Sequence, residues 1–128
     1  MTGKKLWILL IKLLNVQFFV HPNIAYYIVI GEDTEEKALS VKECHIKLSN
    51  MIEGKLKLIV DLTNGGKSSP EARKIFKELS ELERTGKIAL IGIHPVARVI
   101  ASFVMGISKN KDMRFFKTKE EALAWLKE

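Results

Sequence analysis

The sequence predicts an α/β fold in which helices pack on a single mixed β-sheet. From residue 56 onward, short β-branched runs alternate with amphipathic segments in the order strand, helix, strand, helix, strand, helix. This alternation is typical of right-handed crossovers and a parallel βαβαβα sheet. Apolar runs before residue 31 predict N-terminal strands that add an antiparallel section. The length of 128 residues fits one domain, residues 1–128, rather than two.

The N-terminal part is predicted to form strands. Residues 5–14 and 16–20 are apolar and are separated by Asn15, which favours a hairpin, although a helix over 5–14 and a signal anchor remain alternatives. No cleavage-site pattern follows, and polar residues interrupt the apolar run, so we expect no transmembrane span. With no export signal and one free thiol, Cys44, a cytoplasmic location is expected. Residues 24–30 predict a further strand that ends at Gly31.

The first predicted helix begins at a capping box of Asp33 and Glu36 and runs to about Glu53. Its apolar face recurs at helical spacing, which assigns Cys44 to the core. The residues of this face are Val41, Cys44, Leu48, Met51 and Ile52.

The C-terminal elements follow from capping residues and apolar periodicity. Strands are predicted at 56–62, 87–92 and 113–117. Ser68 or Ser69, before Pro70, caps a helix, and His94-Pro95 opens another that runs to about Met105. Thr118 caps the last helix. Gly54, Gly86 and Gly106 are expected at helix ends.

The composition excludes several kinds of site. One cysteine cannot form an internal disulfide or a Cys-rich zinc site, and the three histidines lack metal-ligand spacing, so no metal and no cofactor are predicted. The net charge of +6 is spread along the chain, and its densest stretch, residues 109–119, is expected to be a solvated edge. The sequence therefore does not predict a nucleic-acid partner.

The candidate binding site lies at the carboxyl ends of two predicted strands, where open α/β sheets bind ligands. If these strands are neighbours, Ser68, Ser69 and His94 come together there, with positive charge from Lys67 and Arg98. The alternative is that the serines only cap a helix and His94 only precedes Pro95. The predicted ligand- or partner-binding residues are Thr63, Asn64, Gly65, Gly66, Lys67, Ser68, Ser69, His94 and Arg98.

Catalysis is not predicted at this site. Residues 66–68 match the end of a phosphate-binding P-loop, but Asp61 stands where that motif needs its first glycine. A Ser–His pair there lacks an obvious orienting acid other than Asp61, which is expected to bond the loop backbone instead. An enzyme that uses Ser68 or Ser69 with His94 is kept as an alternative.

The helix over residues 95–105 is almost wholly apolar, with only Arg98 and Ser102 as polar residues. A surface helix normally shows a polar face, so this helix is expected to cover a partner. A homodimer interface is the preferred prediction, and contact with lipid is the second. The residues assigned to this surface are Val96, Val99, Ile100, Phe103 and Val104.

Three segments resemble the STAS domain, the fold of anti-sigma-factor antagonists, and in particular its SpoIIAA-like branch. They are residues 59–73 (IVDLTNGGKSSPEAR), 88–100 (IALIGIHPVARVI) and 114–126 (RFFKTKEEALAWL), and the resemblance covers roughly residues 56–127. It implies a non-enzymatic regulatory or protein-interaction domain with a partner of the anti-sigma-factor or kinase type. It also implies phosphorylation at Ser69, or at Ser68. A relation to CRAL-TRIO domains implies the alternative of a lipid or small apolar ligand.

Overall fold

A computed structural model describes residues 17–92 and 94–128 of the chain. Within these residues, five strands form one sheet in the order β1-β2-β3-β4-β5, and four helices pack on it. The β1–β2 pair is antiparallel and the other three pairs are parallel, so the predicted mixed α/β sheet is confirmed. The elements are β1 (Gln17–His21), β2 (Ile24–Asp33), α1 (Glu35–Ser49), β3 (Leu56–Ser68), α2 (Pro70–Ser80), β4 (Thr85–Ile91), α3 (Pro95–Ile107), β5 (Met113–Phe116) and α4 (Lys119–Lys127).

The two faces of the sheet carry separate apolar cores, because successive side chains of a strand point to opposite faces. On one face, Tyr27, Leu58 and Leu90 belong to a cluster with buried residues of α1, α2 and α3. On the other face, Ile59 and Ala89 pack with Trp125 and Leu126 of α4. The architecture is therefore a sheet between three helices on one side and one helix on the other.

The helix starts follow the predicted capping residues with one exception. Ser69 and Thr118 cap α2 and α4, and their side-chain oxygens accept the backbone N–H of Ala72 at 3.0 Å and of Glu121 at 3.1 Å. The predicted capping box at Asp33 is wrong. Thr34 caps α1, and Asp33 is the last residue of β2 because β2 continues past Gly31 along β3.

The end of α1 lies earlier than predicted. The helix ends at Ser49, so Met51 lies outside it and is exposed. Within the helix, His45 is buried, and its Nε2 forms a 2.8 Å hydrogen bond with Thr85 Oγ1. The predicted helix end at Gly86 is also wrong, because β4 begins at Thr85. Gly106 lies within α3, one residue before that helix ends.

The predicted strand over residues 5–14 and the turn at Asn15 lie outside the described residues, and the predicted strand 16–20 corresponds to β1. Among residues 17–92 and 94–128, no helix has both the length and the apolar character needed to cross a membrane.

Candidate functional site

The segment predicted as a binding loop, residues 63–69, is mostly strand. β3 runs to Ser68 and stays paired with β2 through Ile30–Asn64, Gly31–Gly65 and Asp33–Ser68. Of the predicted loop residues, Asn64 and Gly65 are therefore paired in the parallel ladder. Thr63, Gly66 and Lys67 lie in the same strand, where the register between β2 and β3 shifts. The predicted end of this strand at residue 62 is therefore wrong, because the pairing of β2 beyond Gly31, where φ is +65°, extends the sheet, while a binding role for these residues stays a prediction.

The two glycines of this extension bring other elements close to it. A Cβ at Gly65 would stand 3.0 Å from the Ala97 Cβ of α3. A Cβ at Gly66 would stand 3.2 Å from the backbone of Gly31 in β2. Their small size therefore serves the packing of α3 and β2 against β3, which a sequence pattern of Gly-Gly does not distinguish from a ligand-binding turn.

Ser68 and Ser69 have different surroundings. The Ser69 hydroxyl caps α2, so the second of the two predicted caps is confirmed. The Ser68 Oγ is enclosed and has no hydrogen-bond partner among the described residues. Phosphorylation at Ser69 or at Ser68 stays a prediction.

The cation beside these serines is Arg73, which the sequence analysis did not single out. Its Nη1 donates a 2.6 Å hydrogen bond to the Ser68 carbonyl, and its guanidinium lies 5.9 Å from the centre of the Phe103 ring of α3. The signal was its spacing, because residue 73 lies one helical turn after the Ser69 cap. Arg98, which we expected to serve this role, packs over Phe115 of β5 at 4.3 Å.

His94 caps α3. Its Nδ1 accepts the backbone N–H of Ala97 at 3.3 Å. β3 and β4 are neighbours as expected, but β3 continues past Asp61 to Ser68 and carries the serines away from the end of β4. Within the part of the chain that the structure describes, no hydrogen bond joins His94 to either serine. The structure therefore does not bring together the expected Ser–His pair.

Asp61 bonds the backbone as predicted, and it has a second partner that was not predicted. Its Oδ1 accepts the N–H of Thr63 at 3.0 Å, and its Oδ2 accepts the Tyr26 hydroxyl at 2.7 Å on the face covered by α4. Burial raises the pKa of Asp61, but the hydrogen bonds from Thr63 and Tyr26 and the charge of Lys119 outweigh burial and hold the pKa below its usual value. Asp61 is therefore an ionised hydrogen-bond acceptor that ties β3 to β2.

A pocket of about 100 Å³ lies between the sheet and helices α1–α3. Apolar side chains form most of its wall, and Asp33, Tyr27 and Ser68 supply polar groups. Burial raises the pKa of Asp33 to about 6, although the nearby Lys37 lowers it. Sequence reasoning missed this pocket because its walls come from seven separate elements.

The exposed face of α3 carries four apolar side chains at spacings of three and four residues. Val96, Val99, Phe103 and Ile107 are 41%, 69%, 54% and 44% exposed. We call these four residues the α3 stripe. Val104, assigned to this surface from the sequence, is buried, and Ile100 is half-buried and lines the pocket. The assignment of Val104 was wrong because it lies on the side of α3 that faces the sheet.

The titratable and ligating groups of the described residues were compared with the requirements of a metal site. No group of three or more His, Cys, Asp or Glu side chains with metal-binding geometry exists among residues 17–92 and 94–128. Burial raises the pKa of Cys44 to about 11, with Lys47 opposing the shift, so this thiol stays protonated at neutral pH.

Sequence comparison assigns the chain to a family. Residues 25–128 match the model of the family described as "Domain of unknown function (DUF7793)". The chain belongs to the DUF7793 family. That description names no activity for DUF7793 domains. No curated protein matches the chain.

Two solved structures share the fold of this DUF7793 domain. One is an uncharacterised protein of the DUF3478 family with a SpoIIAA-like fold from Shewanella loihica PV-4. It is 18% identical with a TM-score of 0.63, over 80% of this chain and 83% of that chain. The other is the anti-sigma factor antagonist SpoIIAA in its unphosphorylated form. It is 13% identical with a TM-score of 0.59, over 87% of this chain and 96% of that chain. The resemblance to the STAS and SpoIIAA-like fold is thus confirmed at the level of fold.

Proposed function

We propose that this chain is a regulatory protein-interaction domain of the STAS type, without catalytic activity, and that residues 1–128 act as one such domain. The fold it shares with the anti-sigma factor antagonist SpoIIAA supports a regulatory role. The observation that carries the proposal is the α3 stripe, in which Val99 and Phe103 are more than half exposed. Exposed apolar side chains on one helix face are typical of a protein-binding surface.

The charges around the α3 stripe define the partner. Helix α3 contains no acidic residue, and Lys109 follows its end. Arg73 of α2 contacts the Phe103 ring. A partner that presents apolar side chains inside an acidic rim complements this surface. A second copy of the chain would bring the same cations together, so the charges favour a different protein over the predicted homodimer.

Phosphorylation of Ser69 would act on the same surface. A phosphate there would stand at the start of α2, where the helix dipole favours an anion, and within one turn of Arg73. The guanidinium of Arg73 would then pair with the phosphate on Ser69 and would no longer be free to pair with an acidic side chain of the partner. The expected effect is weaker partner binding, which is the regulatory behaviour that the resemblance implies. We also propose that the protein is located in the cytoplasm.

The absence of catalysis is supported by how the candidate nucleophiles are used. The Ser69 hydroxyl and the His94 imidazole both accept backbone N–H groups as helix caps. A nucleophile needs a base within hydrogen-bond reach, and these caps serve two different helices.

The test is a calorimetric titration of the purified chain with a purified kinase-type anti-sigma factor from the same genome. We expect binding in the wild type and roughly tenfold or greater weakening in the double variant Val99→Glu/Phe103→Glu. Leu39→Glu is the matched control, because Leu39 is 47% exposed on α1, away from the stripe. Ser69→Asp tests the regulatory charge and should also weaken binding.

Two results would assign the α3 stripe to a different kind of partner. A wild-type dimer in solution that the double variant converts to a monomer would assign the stripe to a second copy. Binding to anionic vesicles that the double variant abolishes would assign it to lipid. Either result, or binding that the double variant and Leu39→Glu affect equally, would overturn the proposed protein partner.

A further inference from the structure

The pocket under α1–α3 is a gap in the main apolar core. Its volume is about 100 Å³. Protein interiors are normally packed with few voids larger than a water molecule, so a gap of this size is unusual in a small domain. Sheet residues Val29, Val60, Leu62 and Leu90 and α3 residues Ala97 and Ala101 form much of its wall.

Val60 shows that the helices leave this space uncovered. It lies on β3, the central strand, and on the face that α1–α3 cover, yet its side chain is only half-buried while its neighbours Leu58 and Leu62 on the same face are buried. Phe76, Ile100 and Ala101 are half-buried as well. These helix residues mark the approach to the pocket from the surface, between α2 and α3.

One end of the pocket is polar, and three of its oxygen atoms have no hydrogen-bond partner among the described residues. Tyr27 Oη, Asp33 Oδ1 and Ser68 Oγ are enclosed, and none of them has a hydrogen-bond partner in the described part of the chain. Tyr27 is 4% exposed and Asp33 is 8% exposed. Lys37 Nζ forms an ion pair with Asp33 Oδ1 at 3.7 Å, a distance that is longer than a hydrogen bond.

These three groups belong to one place. Asp33 and Ser68 are paired across the β2–β3 ladder, and the Ser69 N–H donates to the Asp33 carbonyl at 3.0 Å. The charge of Asp33 acts on the Tyr27 hydroxyl, adding to the burial that raises the pKa of Tyr27. Buried polar groups are almost always hydrogen-bonded, so three unsatisfied oxygens in one pocket point to a missing partner.

We propose that this pocket binds a small, uncharged organic molecule with a short aliphatic body and a single hydroxyl head group. The aliphatic body would lie against Val60, Leu62 and Ala101. The hydroxyl would donate to the Asp33 carboxylate and accept from Tyr27 or Ser68. This site lies inside the domain and is independent of the α3 stripe, so the proposed function can fail without affecting it.

Size and charge define this class of ligand. A cavity of about 150 Å³ holds benzene, so this pocket of about 100 Å³, which opens toward the surface between α2 and α3, takes a molecule of about that size or smaller. A carboxylate head would be repelled by Asp33. An ammonium head would compete with Lys37, which already faces the Asp33 carboxylate.

The experiment uses 1-butanol as the test ligand and methyl propyl ether as its matched control. The two molecules have the same number of heavy atoms, but the ether has no hydrogen-bond donor. Methyl NMR spectra of the full chain should show saturable shifts for Val29, Val60 and Leu62 with 1-butanol. The ether should bind roughly tenfold more weakly, because it cannot donate a hydrogen bond to the Asp33 carboxylate.

Two variants separate binding from stability. Ser68→Ala removes a hydroxyl that would donate to the ligand, leaves no new unpaired group, and should weaken 1-butanol binding several-fold. Ala101→Leu fills the pocket and should abolish binding. Ala124→Leu, at an exposed position of α4, should leave binding unchanged. No saturable shifts, equal binding of alcohol and ether, or unchanged binding in both Ser68→Ala and Ala101→Leu would overturn the proposal. Ordered water at the polar end without alcohol binding would overturn it too.

Discussion

Asp33 and Ser68 face each other across the β2–β3 ladder, and each carries an enclosed oxygen that has no hydrogen-bond partner in the described structure. Their pairing exists because β3 continues past Asp61 and β2 continues past Gly31. It converts two residues that looked like helix caps in the sequence into the polar end of a pocket.

Ser68→Ala is expected to leave the free energy of unfolding unchanged or raise it by up to about 1 kcal/mol. The reason is that removal of a buried hydroxyl without a partner relieves a desolvation cost. The matched control is Ser80→Ala, because the Ser80 hydroxyl bonds the Lys77 carbonyl at 2.6 Å and Ser108 Oγ at 2.7 Å. That variant should lose about 1–2 kcal/mol. Urea unfolding of both variants measures the difference, and equal losses would contradict the assignment of Ser68 as unpaired.

Ser69→Ala is expected to lose about 1 kcal/mol of stability, because the Ser69 hydroxyl accepts the Ala72 N–H at the start of α2. Ser69→Asp keeps an acceptor at the same position and adds a negative charge that the helix dipole favours, so it should stay close to the wild type. Thermal unfolding of the two variants side by side checks this. A loss in Ser69→Asp as large as in Ser69→Ala would show that the cap is not what stabilises α2.

Gly92→Ala is expected to destabilise the fold by about 3 kcal/mol or more. Gly92 has a φ of +106°, and a Cβ there would stand 2.6 Å from the backbone nitrogen of Thr63. Gly31→Ala is the control, because Gly31 also has a positive φ, +65°, but has no atom within 4 Å of the added carbon. Its cost should be about 1 kcal/mol, from the backbone conformation alone. Chemical denaturation would contradict the steric argument if the two variants were equally stable.

Acidification is expected to affect stability through His45 and Asp33 with opposite signs. Burial lowers the pKa of His45 to about 4 from the ordinary value of 6.5, so the unfolded chain binds more protons between these values. His45 therefore makes stability fall as the pH drops from 6.5 to 4. Burial raises the pKa of Asp33 from 3.8 to about 6, so the folded chain binds more protons there and stability rises over nearly the same range.

Single variants separate the contributions of His45 and Asp33 to the free energy of unfolding, each on the order of 3 kcal/mol. Asp33→Asn should leave a stability that declines from pH 6.5 to 4, and His45→Gln should leave one that improves over that range. The wild type should be flatter than either variant. Urea midpoints at half-unit pH steps measure the three profiles, and parallel profiles would contradict both assignments.

The elements were largely predictable from local sequence because their signals are local. Ser69 before Pro70, Thr118 before the last helix and the β-branched runs at 56–62 and 87–92 each indicate an element without reference to any other part of the chain. The exceptions arose where one strand pairs with another. Asp33 looked like a cap because residues 33–36 fit a capping box, but β3 holds it in the sheet.

The candidate site was less predictable because it is assembled from residues that are distant in sequence. Ser68, Ser69 and His94 were named from their positions near strand ends, yet the structure places the Ser69 hydroxyl and the His94 imidazole on separate helix caps and encloses the Ser68 hydroxyl. Arg73 was missed because its partners, the Ser68 carbonyl and Phe103, become neighbours only when α2 packs on α3.

The sequence by itself determined the mixed α/β sheet, the order of its elements and most of its helix starts, because hydrophobic periodicity and capping act over a few residues. Only the tertiary structure decided which face of α3 is buried. Val99 and Val104 are chemically identical, but Val99 is 69% exposed and Val104 is 6% exposed. The tertiary structure also decided that Tyr27, Asp33 and Ser68 share one pocket, because packing and strand register depend on contacts between distant segments that no local pattern encodes.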